Sequence, residues 1–145
     1  MLKKQIFKTP SDFIINCYHH TPAKESEKGI ILCHGMQSSS CGIKVSHLAK
    51  ILCDEGYHTF RFDFRYVGDS RVKFEEIKIS CEIEDLTTMY NFAKRKGIKD
   101  LSIIGSSLGA TIALLFTSKA DVTKLVLISA PVFLDKSTWP ETKSA

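Results

Sequence analysis

No stretch of this chain approaches the run of about 18 apolar residues that a membrane span needs. The N-terminal stretch MLKKQIFKTPSD has no apolar core of the signal-peptide kind. A reducing cytoplasm is therefore the expected compartment. The cysteines Cys17, Cys33, Cys41, Cys53 and Cys81 are odd in number and include no C-x-x-C pair, which indicates neither a disulfide framework nor a zinc site. The net charge is +4, but the basic residues are scattered and form no long run. Nucleic acid is thereby left without its electrostatic footprint. Internal repeats and low-complexity tracts are absent.

What is there suits one folded domain. The chain has 145 residues, 43% hydrophobic and 25% charged, and residues 1–145 are read as a single unit. Lys3–Lys8 and Phe13–His19 are strand candidates around the turn signal Thr9-Pro10-Ser11-Asp12. Gly29–Cys33 is a continuous apolar run, as expected of a strand buried on both faces. Val45, Leu48, Ala49, Leu52 and Cys53 repeat at helical spacing, and Gly56 ends that helix. Tyr57–Phe64 is again β-like. Ile79, Ile83, Leu86, Met89, Tyr90 and Ala93 mark a second helix, closed by Gly97. Leu101–Ile104 is a strand, Leu108–Lys119 an apolar and well-buried helix, and Lys124–Ser129 a last strand. Strands alternating with helices imply an α/β fold, with a mostly parallel sheet and helices on both faces. Ligands of such sheets bind at the carboxyl ends of the strands. His34-Gly35, Asp63-Phe64-Arg65, Ser107 and Ala130-Pro131 all fall at or just beyond those ends.

Gly105-Ser106-Ser107-Leu108-Gly109 lies between a strand and a helix, the context in which G-x-S-x-G marks a nucleophilic serine. Glycines two residues to either side let the chain turn sharply at Ser107. A serine hydroxyl needs a base to attack a carbonyl. The oxyanion that results needs hydrogen-bond donors already in place. One donor is the Leu108 N–H, at the positive end of a helix dipole. The second is expected from the loop His34-Gly35-Met36-Gln37-Ser38-Ser39-Ser40, where Gly35 permits the close approach that makes the Met36 N–H the candidate. These motifs call for no cofactor and no metal.

The order apolar strand, HG, helix, strand, D-x-R-x-x-G-x-S, helix, strand, G-x-S-x-G resembles the alpha/beta-hydrolase superfamily, from Gln5 to Phe133. Asp63-Phe64-Arg65-Tyr66-Val67-Gly68-Asp69-Ser70 is similar to that superfamily's D-x-R-G-x-G-x-S loop, with Tyr66 where a glycine is common. The stretch RFDF…GDS, FEE and EIEDL, from Arg61 to Leu86, is similar to bacterial cinnamoyl and feruloyl esterases. It also resembles monoglyceride lipases and serine-aminopeptidase-like members. The resemblance implies a serine hydrolase of carboxylic esters, with Ser107 as nucleophile, Met36 and Leu108 as oxyanion donors, and a small acyl ester as substrate. Supporting roles fall to His34, Gly35, Gly105, Gly109, Asp63 and Arg65. His34 is expected to be a structural residue of its turn, and Asp63 and Arg65 to brace the loops.

The chain departs from the superfamily after its last strand. A complete member has two further strands, whose loops carry an acid and then a histidine. All five histidines here, His19, His20, His34, His47 and His58, precede Ser107, and Asp135 comes too soon to be the acid. The expectation is an incomplete domain whose C-terminal strands, base and acid lie outside these 145 residues. Two readings stand at this point. One is a truncated serine esterase. The other is a non-catalytic relative that binds a small acyl compound, a partner chain or a second copy through the open sheet edge at Lys124–Ser129.

Overall fold

The computed structural model of the chain describes residues 1–67 and 72–131. An antiparallel hairpin opens it: β1 (Leu2–Lys8) and β2 (Ile14–His20) pair with Lys8 opposite Ile14. Asp12 closes the turn at φ 73°, a conformation that a short polar side chain tolerates. There follow β3 (Lys28–Cys33), α1 (Ile43–Asp54), β4 (His58–Phe62), a 3-10 turn (Phe74–Glu76), α2 (Ile79–Arg95), β5 (Asp100–Ser106), α3 (Leu108–Phe116) and β6 (Leu125–Ile128). Gly56 and Gly97 end α1 and α2 with φ of +94° and +85°, where a Cβ would be strained.

The six strands form one sheet in the order β1-β2-β4-β3-β5-β6. β4, β3, β5 and β6 run parallel, while β2 meets β4 antiparallel. β3 is central and is buried at every position after Lys28, because both faces of the sheet are covered. On one face α1 packs Val45, Leu48 and Ala49 over Ile30 and Leu32. On the other, α2 and α3 bring Leu86, Met89, Phe92, Ile112 and Phe116 onto Ile31, Phe60, Phe62 and Ile103. Each such large side chain contributes about 1.5–3 kcal/mol when fully buried.

The last helix and strand depart from this pattern. α3 is predicted by the sequence to be well buried and to reach Lys119. It ends at Phe116, where the hydroxyls of Thr117 and Ser118 take the Leu114 and Leu115 carbonyls. Leu114 and Leu115 are 49% and 41% exposed, because α3 packs on α2, β5 and β6 and no described residue covers its outer side. Val126, Leu127 and Ile128 of β6 are likewise exposed.

The Phe60 ring stacks on His19 at 4.4 Å and meets Phe92 edge-on at 5.7 Å. Phe60→Ala is expected to cost about 3–5 kcal/mol, read from urea unfolding. A loss below about 1 kcal/mol would mean that this cluster does not anchor the hairpin to the sheet.

Candidate functional site

β5 ends at Ser106 and α3 begins at Leu108, so Ser107 alone joins them. It does so at φ 51° and ψ −124°, a backbone conformation that costs about 1–3 kcal/mol for a residue with a side chain. Its neighbours hold it there. The Ser107 N–H donates to the Ile128 carbonyl at 2.9 Å, and the Ser107 carbonyl accepts the Ala110 N–H at 2.9 Å. Both flanking glycines are required by space. A Cβ on Gly105 would stand 2.5 Å from the Gly109 carbonyl oxygen, and one on Gly109 would overlap the main-chain carbonyls of Cys33 and His34. The ends of β3 and β5 and the start of α3 therefore touch backbone to backbone, and the Ser107 side chain is left exposed above them.

Gly35 completes the contact from the β3 side: a Cβ there would lie 3.1 Å from Ser107 Cβ and 3.8 Å from its Oγ. Met36 follows at once. Among the described residues, neither the Met36 N–H nor the Leu108 N–H donates a hydrogen bond. Both line the same cleft as Ser107, a space of about 710 Å³ whose apolar wall includes Val45, Leu48, Ile104 and Ile128. The arrangement sets an exposed hydroxyl, two amides without a hydrogen-bond partner among the described residues and an apolar berth on one edge of the sheet.

His34 is the one histidine in the lining of that cleft, and its ring is fully used. The Phe64 N–H donates to Nε2 at 3.2 Å, so the proton sits on Nδ1, which donates to the Gly35 carbonyl at 2.7 Å. Burial holds its pKa below the ordinary histidine value. A neutral ring with both nitrogens committed fastens the turn and takes no proton from Ser107. The remaining histidines stand elsewhere. His19 and His58 bond to each other at 2.9 Å, His20 accepts from Arg61, and His47 is exposed on α1.

Asp63 and Arg65 brace different loops. Asp63 Oδ1 accepts the Ser40 N–H at 2.7 Å. Arg65 donates its main-chain N–H to Asp85 Oδ2 at 2.8 Å and its guanidinium to Asp85 Oδ1, at 3.0 Å from Nε and 2.7 Å from Nη2; it also pairs with Glu84. Burial raises the Asp85 carboxyl and the hydrogen bonds from Arg65 lower it. Sequence reasoning passed over Ser40, Arg61 and Asp85. Only Asp85 left a signal, as an acid on the apolar face of α2 beside Leu86 and Met89. Glu82, one turn earlier, is fully buried, and neither of its oxygens has a hydrogen-bond partner among the described residues. Gly68, Asp69, Ser70 and Asp135 lie outside the described residues.

A mostly parallel sheet in this strand order, with its G-x-S-x-G turn at the carboxyl end of β5, defines an alpha/beta-hydrolase fold. The sequence profile described as serine aminopeptidase, S33, matches residues 24–144, and the chain belongs to that family of hydrolases. An esterase of Pyrococcus furiosus superposes with a TM-score of 0.82 at 27% identity, over 94% of this chain and 54% of its own. An alpha-beta serine hydrolase homologue from Coxiella burnetii gives 0.79 at 26%, over 90% of this chain and 64% of its own. Among curated proteins, an acyl transferase of Vibrio campbellii is 30% identical over 80 residues, 54% of this chain. Human protein ABHD12B is 29% identical over 98 residues, 67% of this chain. Each of these two matches spans 26% of the relative's length, and the chain spans about half of the P. furiosus esterase.

Burial pushes the Glu82 carboxyl from its ordinary 4.5 up to about 8, with Asp85 adding to the effect and Arg65 opposing it. A raised acid is folded in its protonated form, so its contribution to stability falls as pH rises from 4.5 towards 8. Glu82→Gln, which cannot ionise, should gain on the wild type across that window. Thermal melts at its two ends measure the gain, and an equal difference at both would refute the assignment.

Proposed function

We propose that this chain carries the nucleophile and oxyanion-binding half of a cytoplasmic serine esterase acting on small acyl esters, and that its 145 residues are one incomplete alpha/beta-hydrolase domain. Ser107 Oγ attacks the ester carbonyl and gives its proton to a base. The Met36 and Leu108 N–H groups hold the oxyanion, each worth about 3–4 kcal/mol of barrier. The proton passes to the departing alcohol, and water then releases the acid from the acyl-enzyme. The base and its orienting acid come from sequence outside this chain. The observation that carries the reading is Ser107 itself, held at φ 51° on a turn flanked by Gly105 and Gly109, beside two amides that bond to nothing among the described residues. Relatives named esterase and acyl transferase support acyl transfer as the reaction class.

A fluorophosphonate probe tests this. Ser107 in the present chain should label slowly. It should label at least a hundredfold faster once a C-terminal segment bearing the acid and histidine is restored, and Ser107→Ala should abolish labelling. An extended protein that stays unlabelled overturns the reading.

The second reading, a binding protein that uses its open sheet edge, draws on the exposed side chains of Val126, Leu127, Ile128, Leu114 and Leu115. It predicts self-association or capture of a partner chain at β6. Light scattering should then show mass rising with concentration, and Val126→Lys should suppress the rise. A monomer at every concentration counts against self-association.

A further inference from the structure

The loop from His34 to Gly42 carries the Met36 N–H, and its two ends are fastened to the end of β4 and the residues just beyond it. At the near end the Phe64 N–H holds the His34 ring. At the far end Ser40, fully buried, has both main-chain polar groups taken by charged side chains. Its N–H donates to Asp63 Oδ1 at 2.7 Å, and its carbonyl accepts from Arg61 Nη1 at 2.5 Å. Of the other main-chain bonds of this loop, Ser38 N–H to the Gly35 carbonyl and Gly42 N–H to the Ser39 carbonyl are internal to it, and Ser46 N–H to the Gly42 carbonyl ties it to α1 rather than to the sheet.

Arg61 is buried and fixed from a third side. Its Nε–H donates to His20 Nε2 on β2 at 3.0 Å, and its guanidinium lies over the Tyr18 ring at 4.4 Å. A planar guanidinium with donors in two directions spans the gap between β2 and the loop, as a lysine ammonium does not. We propose that Arg61 is a positioning residue for the Met36 N–H, acting through Ser40, and that it holds the loop only while His20 presents an unprotonated Nε2. Protonated His20 loses that acceptor and sets a positive charge against the guanidinium, so the clamp lets go. The proposal rests on reading Ser107 and Met36 as parts of one acyl-transfer site.

The groups around His20 keep it neutral under ordinary conditions. Burial, Arg61 of β4 and the Met1 ammonium beside β1 lower its pKa from 6.5, and Asp54 at the end of α1 opposes them. On its own strand, Tyr18 shares the Arg61 side and His19 bonds to His58. Release is therefore expected as pH falls below 6.5.

The test uses the 145-residue chain and two independent readouts. Amide hydrogen-exchange protection is measured for Ser38 and Ser40, loop amides that donate hydrogen bonds, with β3 as internal reference, from about pH 8 down to about pH 4.5. Fluorophosphonate labelling of Ser107 is followed in parallel. Arg61→Lys should lower loop protection about tenfold at neutral pH, with β3 unchanged. The wild-type loop should lose protection as pH falls, and His20→Gln, which keeps an acceptor but does not titrate, should hold its protection across the range. Labelling of Ser107 should follow loop protection. The proposal falls if the Arg61→Lys loop matches the wild type, or if His20→Gln keeps the wild-type pH dependence. If protection behaves as expected while Ser107 stays unlabelled both in this chain and in the C-terminally extended protein, the clamp stands and the acyl-transfer reading fails.

Discussion

The site edge of the sheet depends on three main chains that meet with no side chain between them. Gly109 lies against the last carbonyls of β3, Gly105 lies under the first turn of α3, and Gly35 faces Ser107. Steric exclusion is stronger here than any single hydrogen bond. A methyl group at Gly105 or Gly109 has to move backbone rather than a side-chain tip. The contact also explains the strain at Ser107. With β5, α3 and β3 packed this closely, one residue has to reverse the chain, and the bonds from Ser107 to Ile128 and Ala110 keep it reversed. Strain of about 1–3 kcal/mol is tolerated because the surrounding core over-determines the turn.

Above that contact the structure is held by charge rather than by packing. Loops that leave parallel strands carry main-chain groups with no ladder partner, and buried groups of this kind must be satisfied. Asp63 and Arg61, near the end of β4, supply the partners for Ser40, and His34, just after β3, supplies the acceptor for the Phe64 N–H. For Arg65 itself, Asp85 of α2 takes the main-chain N–H. These charges are desolvated, so their value lies in completeness. Removing one member of a buried pair costs about 3–5 kcal/mol, whereas an exposed pair such as Lys50–Asp54 is screened by solvent and contributes little. The Arg65–Asp85 pair and the Ser40 clamp thus dominate the electrostatics of this edge, and the surface pairs decide little.

Much of this was legible in the sequence because it is local. Turn signals and apolar runs placed all six strands, helical periodicity the three helices, and the glycine spacing around Ser107 marked the turn. The positive φ of Gly56 and Gly97 followed from their places after helices. The clamp was not legible, because His20, Ser40 and Arg61 are separated by roughly 20 residues each and only the β2–β4 and β3–β4 pairings bring them together. Leu114 and Leu115 misled for the opposite reason: an apolar helix reads as buried, and periodicity does not say whether a neighbour exists on its outer side.

The division of labour at the candidate site follows from where its groups sit. Donors are main-chain amides at the ends of β3 and β5, so they come with the fold and need no further sequence. A proton acceptor is a side chain and must approach from outside. His34 is close enough to line the cleft, yet its Nε2 lone pair is spent on Phe64 and its Nδ1 proton on Gly35. Freeing that ring would unfasten the turn that presents Met36, so on the proposed reading it would gain a base by losing a donor. On that reading, the fold that presents the two amides also keeps His34 from serving as base, and the base for Ser107 comes from a separate segment.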